Sequence, residues 1–241
     1  MAGTNLTVVT GGSRGIGAAI CARLADDGHD LVVGYRENSA AAKSVVGIAM
    51  DAGRRAIAVQ VDTASPESVE DFFRVADEFG ALTGFVNNAA ISGPVGNLAD
   101  ADADELHRAL DVNLYGYLLC ARRAIRSMPT GGAIVNISSA AATMGSPGVY
   151  VHYAAAKAAV DAMTVGLAKE LAPSGIRVNA VAPGTVWSDF HLDPDRPAKL
   201  ASTIPLGRAA QPAEIAGAVS WLLSEDASYT SGTVIRVAGG L

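Results

Sequence analysis

The chain has 241 residues, of which 50% are hydrophobic and 17% charged, with 26 glycines and a formal net charge of −6. This balance excludes a disordered polypeptide and offers no basic footprint for nucleic acid or an anionic membrane, so a small-molecule partner is expected. Cys21 and Cys120 are the only cysteines and lie far apart, which argues against a disulfide framework and a zinc site and for a reducing compartment.

The length suits one α/β domain over residues 1–241, with no linker, repeat or low-complexity tract. Met1 to Asn5 runs into Leu6 to Thr10, a lead-in too short and uncharged for a signal peptide, and no apolar run approaches the roughly 20 residues that span a bilayer. A cytoplasmic protein without a membrane partner is expected.

Leu6 to Thr10 reads as a buried strand, followed by Gly11-Gly12-Ser13-Arg14-Gly15-Ile16-Gly17 and a helix with apolar positions at Ile16, Ile20 and Leu24. Gly28 is a fitting C-terminal cap. A strand, glycine turn and helix in this order aim backbone N–H groups at one point, which suits a pyrophosphate. The spacing T-G-x-x-x-G-x-G differs from the commoner G-x-G-x-x-G fingerprint. A second strand, Asp30 to Tyr35, ends at Arg36 with no acidic residue before it. An arginine at that strand end pairs with a 2′-phosphate where a carboxylate would accept from a free ribose hydroxyl, so Arg36, with Arg14 in the glycine turn, favours NADP over NAD.

The alternation continues with a helix from Ser39 to about Ala52, a strand from Arg55 to Val61, and a helix opened by Ser65-Pro66. Asp62 and Thr63 follow the third strand, on the edge where open α/β sheets bind ligands. Gly84-Phe85-Val86 forms a short fourth strand ending in Asn87-Asn88-Ala89-Ala90, whose amides serve a turn or a ligand equally well. Asp102 to Ser127 reads as one long helical stretch, in which Asn113 is a polar amide among apolar neighbours. The fifth strand, Gly132 to Ile137, delivers Ser138-Ser139 at its end.

The next helix, running to Leu171, carries Tyr153-Ala154-Ala155-Ala156-Lys157. Residues four apart share a helix face, so phenol and ammonium act together. A tyrosine, with an unperturbed pKa of about 10, is a poor acid near neutrality, and an adjacent lysine charge is expected to lower that value. The sixth strand, Ile176 to Val181, is ended by Pro183-Gly184. An irregular stretch from Thr185 to Ser202 reads as a lid or binding loop. Pro212 opens the last helix, and Gly232 to Ala238 is the seventh strand.

These residues, ordered as Thr10-Gly11-x-x-x-Gly15-Ile16-Gly17, Asn87-Asn88-Ala89, Asn113, Ser139, Tyr153-x-x-x-Lys157 and Pro183-Gly184, resemble the short-chain dehydrogenase/reductase family over essentially the whole chain. The likeness is greatest to 3-oxoacyl reductase and glucose dehydrogenase-like members. It implies a Rossmann-type, doubly wound domain: a seven-stranded parallel sheet with helices on both faces, often assembled as a homotetramer. It also implies a tetrad of Asn113, Ser139, Tyr153 and Lys157, with Ser139 rather than Ser138 in the catalytic position. Cofactor contacts carried over by resemblance are Gly11, Ser13, Gly15, Ile16 and Gly17 at the pyrophosphate, Arg14 and Arg36 at the 2′-phosphate, and Asp62, Thr63 and Asn88 near the adenosine. At the nicotinamide end they are Tyr153, Lys157, Pro183, Gly184, Val186 and Ser188. No metal is implied. Three departures stand out: Ala90 replaces the usual glycine, the Ser139 to Tyr153 spacing is slightly long, and Ser188 stands where threonine is usual.

The activity implied is NADP(H)-dependent interconversion of a ketone and a secondary alcohol, with a 3-oxoacyl thioester as one substrate class. A sugar or polyol dehydrogenase with the same tetrad is the nearest alternative, and a non-catalytic NADP-sensing protein is the alternative from another class. Substrate shape is expected to depend on the Pro94 to Leu98 loop and the lid at 185–202. An acidic chain argues mildly against docking an acidic acyl carrier protein.

Overall fold

A computed structural model describes residues 5–128 and 130–241. Met1–Thr4, on which the reading of the N-terminal lead-in rests, lies outside the described residues. Seven parallel strands form one sheet in the order β3-β2-β1-β4-β5-β6-β7. They are β1 (Leu6–Val9), β2 (Asp30–Tyr35), β3 (Ala56–Gln60), β4 (Leu82–Asn87), β5 (Ala133–Ile137), β6 (Arg177–Pro183) and β7 (Val234–Val237). The fold is the α/β arrangement expected from the strand and helix alternation.

The strands are apolar at consecutive positions because both sheet faces are covered. Val9, Leu31, Val33, Val135 and Val181 pack on one face against α1 (Gly15–Asp26), α2 (Ser39–Asp51) and α9 (Pro212–Leu223) through Ile20, Leu24, Val45, Ile215 and Val219. Val8, Val32, Ile134 and Val178, at positions of the opposite parity in the same strands, face the other side, against α3 (Pro66–Phe79), α5 (Gly116–Ser127) and α7 (Val151–Leu171). On that side Phe73 meets Phe72 and Phe85 edge to face, with centroids 5.2 and 5.6 Å apart. Such pairs add about 0.5–1.5 kcal/mol each beyond their buried area.

Several boundaries differ from the sequence reading. The first and third strands are shorter than expected, the fourth extends over Leu82–Asn87, and the sixth continues through Pro183. The stretch 102–127 is not one continuous helix: α4 (Ala103–Leu110) and α5 are joined by a π-helical turn, Asp111–Tyr115, that contains Asn113. π turns share the apolar spacing of the helices around them, so the pattern does not reveal them. The stretch 185–202 is also less irregular than expected, since it contains the short helix α8 (Arg196–Leu200) and the start of a 3-10 turn, Ala201–Thr203. A further short helix, α6 (Ala141–Met144), lies between β5 and α7. Among the described residues no helix is long and apolar enough to cross a membrane.

The sheet order reverses between β1 and β4, and ligands of such sheets bind outside the strand carboxyl ends at that switch point. The glycine turn after β1, the asparagine turn after β4 and Ser138-Ser139 after β5 all emerge on this edge.

Candidate active site

A cavity of about 760 Å³ runs along that edge, from Arg36 and Asp62 past the glycine turn to Ser139, Tyr153 and the 185–203 segment. At the turn, Gly11 and Gly15 take φ of +63° and +54°, a region that side-chain-bearing residues rarely adopt. Gly17 has no such dihedral requirement but no space either: a Cβ there would lie 2.1 Å from the Gly11 carbonyl oxygen.

Asn88 secures this turn. Its Nδ2 donates to the carbonyls of Thr10 and Gly11 at 2.9 and 3.1 Å, and its backbone N–H donates to Thr10 Oγ1 at 2.9 Å. Asn88 borders the cavity, but its amide nitrogen serves the turn. Ser13, Arg14 and Ile16 line the same wall at the N-terminus of α1. A glycine-rich cradle, a helix N-terminus and the arginines Arg14 and Arg36 in one groove fit a phosphate-bridged dinucleotide.

At the far end of β2, Arg36 is about half exposed and pairs through Nη2 with Asp62 Oδ2 at 3.1 Å. Gln60 Nε2 donates to the Arg36 carbonyl at 2.8 Å, and Asp62 Oδ1 accepts from Ala64 N at 3.0 Å. Cation and carboxylate expected at the adenosine therefore meet each other directly. Thr63 is buried beside them.

Tyr153 lies in the first turn of α7 and is only 7% exposed, with the Tyr150 ring edge to face and the Phe190 ring tilted against it at centroid distances of 5.3 and 5.2 Å. The two serines after β5 behave differently. Ser138 is buried, its hydroxyl donating to the Lys157 carbonyl at 3.3 Å, whereas Ser139 is partly exposed and its Oγ accepts from Ala141 N at 3.1 Å. That bond leaves the Ser139 O–H free to donate into the cavity.

Lys157 is 1% exposed, and its Nζ donates to Tyr117 Oη and the Ile137 carbonyl, each at 2.8 Å. The ammonium stands 4.2 Å from the Tyr117 ring centroid and 5.6 Å from that of Tyr153. Burial, only partly opposed by the Asp161 charge, pulls the Lys157 pKa down to about 7. Burial, reinforced by Tyr150 and opposed by Ser139, holds the Tyr153 phenol well above the usual tyrosine value. The expectation that lysine lowers this phenol's pKa is thus corrected: burial is the largest cause of its shift and raises it.

Asn113 makes no hydrogen bond to Lys157. Its Oδ1 accepts from Ile91 N at 3.1 Å and its Nδ2 donates to Ile91 O at 2.8 Å, pinning the segment after β4 to the π turn. The neighbouring His152 Nε2 meets Ser92 O at 2.9 Å, a second tie to that segment. Sequence reasoning missed Tyr117. The available signal was a large phenol in the otherwise small buried stripe of α5, with Cys120, Ala121 and Ala124.

Beyond β6, Gly184 N donates to Val237 O at 3.0 Å, and a Cβ at Gly184 would sit 2.8 Å from Ala238 Cα. Trp187 N donates to Ala210 O at 3.0 Å and Ala210 N to Thr185 O at 2.9 Å, which fixes Val186 in place. Ser188 comes within 3.3 Å of where a Gly15 Cβ would stand, so the 185–202 segment begins beside the glycine turn. Pro183, Gly184, Val186 and Ser188 all line the cavity.

Residues 11–241 match the family profile described as Enoyl-(Acyl carrier protein) reductase. The chain is 41% identical to the uncharacterized oxidoreductase YgfF of Escherichia coli, over 98% of this chain and 99% of that protein. It is 38% identical to a 3-oxoacyl-[acyl-carrier-protein] reductase of Synechocystis, over 98% and 96% of the two chains. A short chain dehydrogenase from Burkholderia cenocepacia, solved in complex with NADP, superposes with a TM-score of 0.93 at 37% identity, over 98% of this chain and 97% of that one. A blue fluorescent protein from a metagenomic library, solved with NADPH, gives a TM-score of 0.92 at 36% identity over the same shares.

Proposed function

The chain belongs to the short-chain dehydrogenase/reductase family of oxidoreductases, and from that premise we propose that it interconverts a ketone and a secondary alcohol with NADP(H), using Tyr153 as the acid–base. The observation that carries the reading is the burial of Tyr153 and Lys157 where the cavity from the glycine turn ends. The two NADP-bound structural neighbours and the pair of cavity arginines, Arg14 and Arg36, support the phosphorylated dinucleotide.

The backbone from Gly11 to Gly17 would hold the dinucleotide's pyrophosphate, Arg14 and Arg36 its 2′-phosphate, Asp62, Thr63 and Asn88 the adenosine, and Pro183, Gly184, Val186 and Ser188 the nicotinamide end. Arg36 would give up its partly exposed Asp62 partner for the phosphate, a small loss because exposed pairs are worth about 0–1 kcal/mol. When bound, the nicotinamide supplies or accepts the hydride.

The protein's own work is proton handling and positioning. Ser139 donates its O–H to the substrate carbonyl oxygen, polarising it, and Tyr153 Oη gives its proton to the same oxygen. A phenol held above its usual pKa by burial is fully protonated at neutral pH, the state an acid requires. As an ammonium, Lys157 has one N–H beyond those donated to Tyr117 and Ile137, which would serve the ribose of a bound cofactor. With a pKa of about 7 it exchanges its proton readily at neutral pH. Asn113 contributes by fixing the segment after β4 that walls the site.

The Synechocystis relative makes an acetoacetyl thioester a reasonable first substrate to offer, beside simple ring ketones. NADPH consumption is expected with the wild-type protein and to fall at least about 1,000-fold in Tyr153→Phe, more than the usual general-acid contribution of about 10²–10⁴ at its low end. NADPH binding by fluorescence titration is expected to persist in the variant. Wild-type turnover by Tyr153→Phe sinks the assignment.

A further inference from the structure

The end of the cavity beyond Tyr153 is walled by Tyr150, Phe190, Met144 and Leu200, and this apolar wall contains one partly buried cation, Arg196 at the start of α8. Its guanidinium carbon lies 5.5 Å from the Tyr150 ring centroid, and Tyr150 in turn stands 5.3 Å from Tyr153. Arg196 Nε is buried without a hydrogen-bond partner. Among the described residues the guanidinium is in no ion pair, since the neighbouring Asp193 is taken by Lys199 at 2.8 Å. The other charged groups on this part of the wall, Arg108 and Asp189, are exposed and solvated.

The guanidinium lines the cavity with the Tyr150 ring beside it and, among the described residues, no carboxylate to balance its charge. An anion arriving in the cavity supplies that counter-charge through the Nη groups. The planar fork of arginine matches a carboxylate through two parallel hydrogen bonds, and one guanidinium neutralises one carboxylate. A dianionic phosphate would carry uncompensated charge into an aromatic wall.

We infer that this end of the cavity takes a carbonyl compound bearing a carboxylate, with Arg196 as the anion-binding residue and the reacting carbonyl at Tyr153. This rests on the proposed ketone–alcohol reaction. The short span from Tyr153 across Tyr150 to Arg196 sets a compact body between the two groups, a single ring or a short chain. The aromatic wall favours an apolar one.

The test compares NADPH-dependent reduction of 4-oxocyclohexanecarboxylate and its methyl ester by the wild type, Arg196→Met and Arg196→Lys. Methionine keeps the stem over Tyr150 and deletes the charge; lysine restores a charge without the fork. The acid-to-ester ratio of kcat/KM is expected to fall at least tenfold in Arg196→Met and to recover partly in Arg196→Lys. An unchanged ratio overturns the inference. A binding measurement separates this from the reaction itself: calorimetry of cyclohexanecarboxylate on the cofactor-free and NADPH-loaded proteins. Arg196-dependent binding upholds the anion site even if neither ketone is reduced, in which case the proposed reaction fails alone. Binding that is absent, or equal in wild type and Arg196→Met, overturns the site.

Discussion

Replacing Lys157 by methionine should stabilise the ligand-free protein at low pH and do so less as the pH rises. The amine is buried and its pKa falls from 10.5 to about 7. Between those values the unfolded chain binds a proton that the folded chain has released, so this group's contribution to stability rises with pH across that window. Below the folded pKa the full cost of burying the ammonium is present, about 5 kcal/mol for a displacement of this size. Between pH 10 and pH 6 the stability of Lys157→Met relative to wild type should therefore shift by about 4 kcal/mol in the variant's favour. Methionine fills the same channel, and Tyr117 Oη keeps its bond to the Ile137 carbonyl at 3.0 Å, so no polar atom is orphaned. Urea unfolding of both proteins at a fixed concentration and several pH values reads the difference directly, because other titrating groups cancel. An offset that is the same at pH 6 and pH 10 would refute the claim that burial governs this lysine.

Two further substitutions test the frame around the site. Arg36→Ala is expected to weaken NADPH by about 1.5–3 kcal/mol, the value of a hydrogen bond to a charged group, and to leave NADH nearly unaffected. Equal losses in fluorescence titrations with the two nucleotides would mean that Arg36 does not meet the 2′-phosphate. Asn113→Ala removes both partners of the Ile91 backbone, at 3.1 and 2.8 Å, and is expected to cost about 2–4 kcal/mol of stability with a raised KM for the carbonyl substrate. Unfolding free energies and steady-state kinetics check it, and an unchanged KM would separate Asn113 from the substrate wall.

The parts of the fold legible in the sequence are those in which local chemistry and tertiary context agree. Leu31-Val32-Val33 is apolar at every position because its alternate residues enter two different cores, and only a strand covered on both faces needs that pattern. Ser65-Pro66 announces α3 because serine caps it, its Oγ accepting from Ser68 N at 3.3 Å, while proline costs nothing at a first helical position. The π turn at Asp111–Tyr115 was illegible because its apolar spacing reads as α-helix, and α8 because two prolines and scattered polar residues mask a single turn. Tyr153 and Lys157 could be paired from their spacing alone. Their protonation could not, since that depends on how completely each is removed from water.

Lys157 shows why a four-residue spacing understates such a site. The ammonium is held by a strand carbonyl, Ile137, and by a phenol, Tyr117, from a helix 40 residues earlier in the chain. Tyr117 donates to that same carbonyl, and its own backbone carbonyl accepts from Asn87 Nδ2 at 2.9 Å, at the end of β4. Three segments thus converge on one nitrogen at the strand ends. Desolvation by that convergence pushes the lysine toward neutrality and the tyrosine toward its protonated form, so the same packing that closes the core sets the proton inventory of the site. A charged ligand reaching this edge shifts the balance again. The buried phenol is therefore in its acid form, ready to give a proton to a carbonyl oxygen, and the alcohol-oxidising direction requires it to be drawn down by whatever charge arrives beside it.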